Sequence, residues 1–140
     1  MIYPVYENKM EFSEVHNFQV RKEIILLLGS DPHEDHGMQR TLEAVGYPVL
    51  TADTGEQAQE LFRSFNGAIR LLIVDTAMKA KSALEVIAAL RKNNPTMKVV
   101  VASGDLSPRE RDDIFFSGVL ELIHKPVDRQ RLLQVVRKIV

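Results

Sequence analysis

Asp75 closes the apolar run Leu71-Leu72-Ile73-Val74, Ser103 closes Val99-Val100-Val101-Ala102, and Lys125 follows the run from Val119 to Ile123. Asp31, after Ile24 to Leu28, adds a second acid at the end of an apolar segment. A carboxylate, a hydroxyl and an ammonium held together suit phosphoryl transfer, in which the nucleophile must be positioned and the charged phosphoryl oxygens need donors. In that chemistry Asp75 attacks phosphorus, Ser103 donates to a phosphoryl oxygen and Lys125 neutralises charge.

The elements that must position these residues are legible from periodicity. From Ile24 onward, short apolar runs alternate with segments whose apolar residues recur at helical spacing, which is the pattern of a parallel sheet covered on both faces. The runs at Ile24 to Leu28, Pro48 to Ala52, Leu71 to Val74, Val99 to Ala102 and Val119 to Ile123 predict five strands. Between them, Met38, Leu42 and Val45 share a helical face, as do Ala58, Leu61, Phe62 and Phe65, then Leu84, Ile87 and Ala88, and finally Leu132, Val136 and Ile139. Capping-box spacing at Thr54 with Gln57, Ser82 with Glu85 and Ser107 with Glu110 predicts helix starts, and Gly46, Gly67 and Gly118 predict stops. The expectation is an α/β fold, a doubly wound five-stranded parallel sheet with helices on both faces. In such a sheet the ligand crevice lies beyond the carboxyl ends of the strands, where the four polar residues fall.

Composition sets the outer limits. A chain of 140 residues has room for one domain, in which roughly two-thirds of the unfolded surface becomes buried. The net charge of −1 gives no electrostatic basis for nucleic-acid or anionic-lipid binding, and the absence of cysteine excludes disulfides, thiolate metal sites and cysteine nucleophiles. No apolar run is long enough to span a membrane and no secretory signal opens the sequence, so the expected location is cytoplasmic. We divide the chain into an N-terminal extension, residues 1–22, and a domain over 23–140. Phe12, Val15 and Phe18 of the extension could dock on the domain or on a second copy, although a partly ordered extension is the plainer expectation.

With these residues in place the chain resembles the response-regulator receiver family, a chemotaxis-regulator-like, flavodoxin-like fold of strand order 2-1-3-4-5. Leu72-Ile73-Val74-Asp75-Thr76-Ala77-Met78 is similar to the family's phosphoacceptor strand and loop. Val100-Val101-Ala102-Ser103-Gly104 is similar to the strand that ends in its switch hydroxyl, and His124-Lys125-Pro126 to its lysine with the following, commonly cis, proline. The resemblance implies a module of a two-component phosphorelay, regulatory rather than enzymatic beyond self-catalysed phosphotransfer and dephosphorylation. It implies Asp75 as acceptor from a sensor histidine kinase or phosphotransfer protein. It further implies Mg2+ held by Asp75 and the Ala77 backbone carbonyl. The output would pass to an effector domain or a homodimer through the face of the fourth helix, fifth strand and fifth helix.

The departures from the family pattern bear on the metal. Receivers usually carry two adjacent acids at the end of the first strand, where this chain has Gly29 and Ser30, so weak Mg2+ binding is expected. Asp31 lies one position later and either caps a helix ahead of Pro32 or serves as a displaced metal ligand. Lys79 replaces a proline common after the methionine; it reads first as an exposed loop lysine, with the alternative that its ammonium reaches the crevice and stands in for part of the cation's charge. Ala83 takes the place of a frequent loop glycine, and Leu122 that of an aromatic which reports phosphorylation. The His33-Glu34-Asp35-His36 cluster reads as a solvated loop rather than a metal site. The alternative function is a phosphorylation-independent pseudo-receiver that binds a partner through the last helix, with Arg129, Arg131 and Arg137. A flavodoxin-like enzyme is a third class, disfavoured because Gly29-Ser30-Asp31-Pro32 lacks the spacing of a Gly-rich phosphate loop.

Overall fold

In the computed structural model, which describes residues 23–29, 31–65, 67–76 and 80–140, the predicted alternation is realised. The elements run β1 (Ile24–Gly29), α1 (Pro32–Ala44), β2 (Val49–Ala52), α2 (Gly55–Phe65), β3 (Ile69–Thr76), α3 (Ala80–Asn93), β4 (Val99–Ser103), α4 (Pro108–Phe116), β5 (Glu121–His124) and α5 (Arg129–Ile139). The five strands pair in parallel in the order β2-β1-β3-β4-β5. The extension, including Phe12, Val15 and Phe18, lies outside the described residues, as do Ser30 and Ala77 to Lys79.

Strand alternation divides the core in two. Ile25, Leu27, Leu71, Ile73, Val100, Ala102 and Ile123 point to one face, where Met38 and Leu42 of α1 and Leu132 and Val136 of α5 cover them. Leu26, Leu28, Leu72, Val74, Val99 and Val101 point to the other, beneath Ala58 and Phe62 of α2, Ile87 and Leu90 of α3 and Ile114 of α4. Burying β1, β3 and β4 on both faces is what makes their sequences continuous apolar runs.

The helix boundaries follow local chemistry, with departures from expectation in α3 and at the start of β5. Ser107 and Glu110 form the full reciprocal capping box, and Thr54 Oγ1 accepts from Gln57 N at 3.1 Å. Ser82, by contrast, sits inside α3, which starts at Ala80, so its spacing to Glu85 marks no cap. Ala83 is likewise a buried helical residue rather than part of a loop. The inward face of α3 is Ala80, Ala83, Ile87 and Leu90, with Leu84 half-buried and Ala88 exposed. Alanine fits either side of a helix, so its type does not fix the phase. Gly46, Gly67 and Gly118 do end their helices, at φ of 96°, 85° and 89°, the left-handed region in which a side chain is strained. The fifth strand begins at Glu121; Val119 is buried ahead of it, and Leu120 N donates to Val99 O at 2.8 Å.

Candidate functional site

The site is built where β1, β3, β4 and β5 end. Alternation along β3 puts Asp75 on the α1/α5 face, in register with Gly29 of β1 and Ala102 of β4. Both neighbours are small, which leaves room beside a carboxylate that is 0 % exposed. Lys125 comes from the turn after β5. Its backbone N–H donates to Ser103 O at 2.8 Å, its peptide bond to Pro126 is cis, and its Nζ is ion-paired with Asp75 Oδ1. A carboxylate this deep is tolerated only with a partner of opposite charge.

Ser103 ends β4, buried and in register with Thr76, one step beyond Asp75. It shares the parity of Val99 and Val101 and borders a cavity lined also by Leu106, Arg111, Phe115 and Leu122. Thus Asp75 and Lys125 touch, whereas Ser103 joins them through its carbonyl. Leu122, at the position of the family's reporting aromatic, is half-buried in the wall of that cavity. His124 is exposed beside it, its Nε2 3.2 Å from Asp105 Oδ1.

Asp31 caps α1: its Oδ1 accepts from Glu34 N at 3.3 Å and its carbonyl from Asp35 N at 2.9 Å. The capped first turn aims two further acids inward. Glu34 Oε1 accepts from Val127 N at 3.1 Å, tying α1 to the loop that carries Lys125. Asp35 reaches the space beside Gly29, where a Cβ on the glycine would lie 2.6 Å from each of its carboxylate oxygens. Residues 33–36 thus form the first turn of α1 rather than a loop, and of the four only His33 and His36 are exposed to solvent. Asp35 is the residue the sequence reading missed. Its one signal was an acid a helical turn beyond a strand end that had lost its own acids.

Desolvation first, then contact and charge repulsion from Asp75 and charge from Asp31, push the Asp35 carboxyl up to about 8, against the opposing pull of Lys125. Asp35 Oδ1 and Asp75 Oδ2 are inaccessible, and apart from a proton shared between the two carboxyl groups they meet no hydrogen-bond donor among the described residues. With that proton released, two hard oxygens in adjoining carboxyl groups fit a small divalent cation that takes one or two carboxylates and keeps the rest of its shell from carbonyls and water. No group of three or more His, Asp or Glu side chains placed to hold a metal occurs among the described residues, so the protein's share of such a shell is small.

The sequence profile of the response regulator receiver domain matches residues 25–137. The chain belongs to this family. The receiver is 29% identical over 115 residues to the transcriptional regulatory protein CpxR of Escherichia coli K12, covering 82% of this chain and 48% of CpxR. It is 26% identical over 112 residues to the transcriptional regulatory protein GlrR of the same organism, covering 80% of this chain and 25% of GlrR. The chain thus spans under half the length of the curated relatives it matches first. Among solved structures, a response regulator receiver protein from Pseudomonas putida superposes with a TM-score of 0.74 at 28% identity, covering 84% of this receiver and 98% of that chain. Receivers are regulatory domains that interact with sensor kinases and effector domains, and the family typically binds Mg2+. No helix among the described residues is long and apolar enough to cross a membrane.

Proposed function

We propose that this receiver accepts a phosphoryl group on Asp75 and acts as a switch in a cytoplasmic two-component phosphorelay. The observation that carries the reading is a wholly buried carboxylate, paired with the Lys125 ammonium, at the end of the central strand of a receiver sheet. A purely structural ion pair at that depth gains little over apolar packing. Its retention at the crevice argues for chemistry.

In the reaction an Asp75 oxygen attacks phosphorus of a histidine phosphoramidate. The new P–O bond forms as the P–N bond breaks, and the electron pair leaves on the imidazole nitrogen, which takes up a proton. Lys125, already on the attacking carboxylate, moves onto a phosphoryl oxygen as the negative charge shifts there, and Ser103 turns its hydroxyl to another. Mg2+, when bound, offsets phosphoryl charge; Asp75 and the Ala77 carbonyl would hold it, whereas the Asp31 side chain is engaged as the cap of α1. Because Gly29 and Ser30 bring no carboxylate, we expect affinity below that of a receiver with two strand-end acids. Donors would be a sensor histidine kinase or phosphotransfer protein. For the output partner, an effector domain or a second copy, we favour the face of α4, β5 and α5, where Phe115, Phe116 and Leu120 are 45%, 89% and 49% exposed.

The test is intact mass after incubation with acetyl phosphate and Mg2+. One phosphoryl adduct on the wild type and none on Asp75→Asn supports acceptance. No adduct at any Mg2+ concentration favours the phosphorylation-independent interaction module.

A further inference from the structure

Gly29 and Asp35 occupy one volume between them. On the strand, Gly29 stands beside Asp75 in the β1–β3 register, the place from which a strand-end side chain would reach the acceptor. On the helix, Asp35 fills that place, with its Oδ1, Oδ2 and Cγ at 2.6, 2.6 and 2.9 Å from where a Gly29 Cβ would be. No real Cβ tolerates such distances, so a side chain at 29 and the observed Asp35 rotamer exclude each other. The glycine is therefore the condition for the helix acid to enter. Two carboxylates then face one ammonium. Lys125 answers one oxygen of Asp75, and the buried second oxygen, like Asp35 Oδ1, finds no donor outside this pair of acids among the described residues. Once both acids are ionised, the site sets two negative charges against one ammonium, and a cation is the positive centre that would offset the excess.

We propose that Asp35 is the relocated metal ligand of this receiver: its carboxylate, entering from α1 through the gap left by Gly29, holds a divalent cation together with Asp75. One helix-borne acid takes over from the two strand-end acids usual in the family, and Asp31 remains the cap that sets the helical turn presenting it. The inference rests on the metal half of the proposed function and names its ligand.

The test reads cation binding on the full chain without any phosphoryl donor, by calorimetric titration with Mg2+ and by the free Mn2+ signal in electron paramagnetic resonance. Asp35→Asn, which keeps the side-chain shape, should weaken binding by at least about tenfold, since a unit charge against the cation is lost. Gly29→Ala should do nearly the same without removing any carboxylate, because the new methyl expels the Asp35 head group. Placing the acid back on the strand, Gly29→Asp with Asp35→Ala, should recover affinity, while Gly29→Asp alone should recover less because the two acids collide. Circular dichroism confirms that each variant is folded. The proposal is overturned if the wild type binds neither ion, or if Asp35→Asn stays within about twofold of it. It is overturned equally if Asp31→Asn carries the loss in its place. Intact mass on the same samples keeps the two claims apart: an adduct on Asp75 with Asp35-independent binding removes the ligand and keeps the acceptor, and Asp35-dependent binding without an adduct does the reverse.

Discussion

Asp35→Asn removes a titratable carboxyl and keeps its shape, which isolates the energetic consequence of pressing this group against Asp75. In the metal-free folded chain the Asp35 carboxyl holds its proton up to about pH 8, against 3.8 for the unconstrained side chain. Its folded-state affinity for a proton is raised, so the contribution to stability is whole below about pH 4 and is lost as the pH climbs toward 8. A displacement from 3.8 to about 8 has a ceiling of about 5 to 6 kcal/mol at 1.36 kcal/mol per unit. Asp35 is only partly buried as a residue, and solvent together with Lys125 screens the repulsion, so we expect about 1 to 3 kcal/mol. Urea denaturation in EDTA at pH 5 and pH 8 measures it. Wild type should lose more stability than Asp35→Asn over this interval by that amount, the other titrating groups cancelling in the difference. Adding Mg2+ at pH 8 should return stability to wild type and little to the variant, because only a chain that binds the ion gains by mass action. Parallel pH dependences of the two proteins would refute the buried carboxyl contact, and with it the geometry on which the metal argument stands.

Removing Lys125 leaves Asp75 buried without its counter-charge, so Lys125→Met should cost about 2 to 4 kcal/mol in denaturant melts, and the double variant with Asp75→Asn should regain much of it. Ser107→Ala deletes one half of the capping box at α4 and should cost about 1 kcal/mol, read as a lower thermal midpoint with phosphoryl acceptance unchanged. Gly118→Ala places a side chain at φ 89°, with its Cβ 3.3 Å from the Arg91 guanidinium, and should cost about 1 kcal/mol or more by the same assay.

The fold was open to reading because its physics is local and repeated. Strands buried on both faces must be apolar throughout, helices on a sheet must be apolar on one side, and glycines with positive φ must end them, so β1, β3, β4 and Gly46, Gly67 and Gly118 declare themselves. Phase was obscure only where side chains say little, as in α3, where Ala83 is inside and Ala88 outside. The contact between Asp75 and Lys125 followed from strand ends alone, and Ser103 was placed at the correct edge although its side chain lies on the neighbouring face. Asp35 was hidden because nothing in a run of His-Glu-Asp-His tells which members of a first helical turn face inward. That depends on how α1 leans on β1, and on the missing Cβ of Gly29.

Asp75 as the acceptor of the phosphoryl group is the central claim, and chemical trapping tests it most directly. Wild type incubated with acetyl phosphate and Mg2+ is reduced with borohydride, which converts an aspartyl phosphate to homoserine, then digested and sequenced by mass spectrometry. The account predicts homoserine at position 75 and at no other acid, Asp31 and Asp35 included. Unmodified Asp75 beside a converted Asp31 or Asp35, or no conversion anywhere, would contradict it.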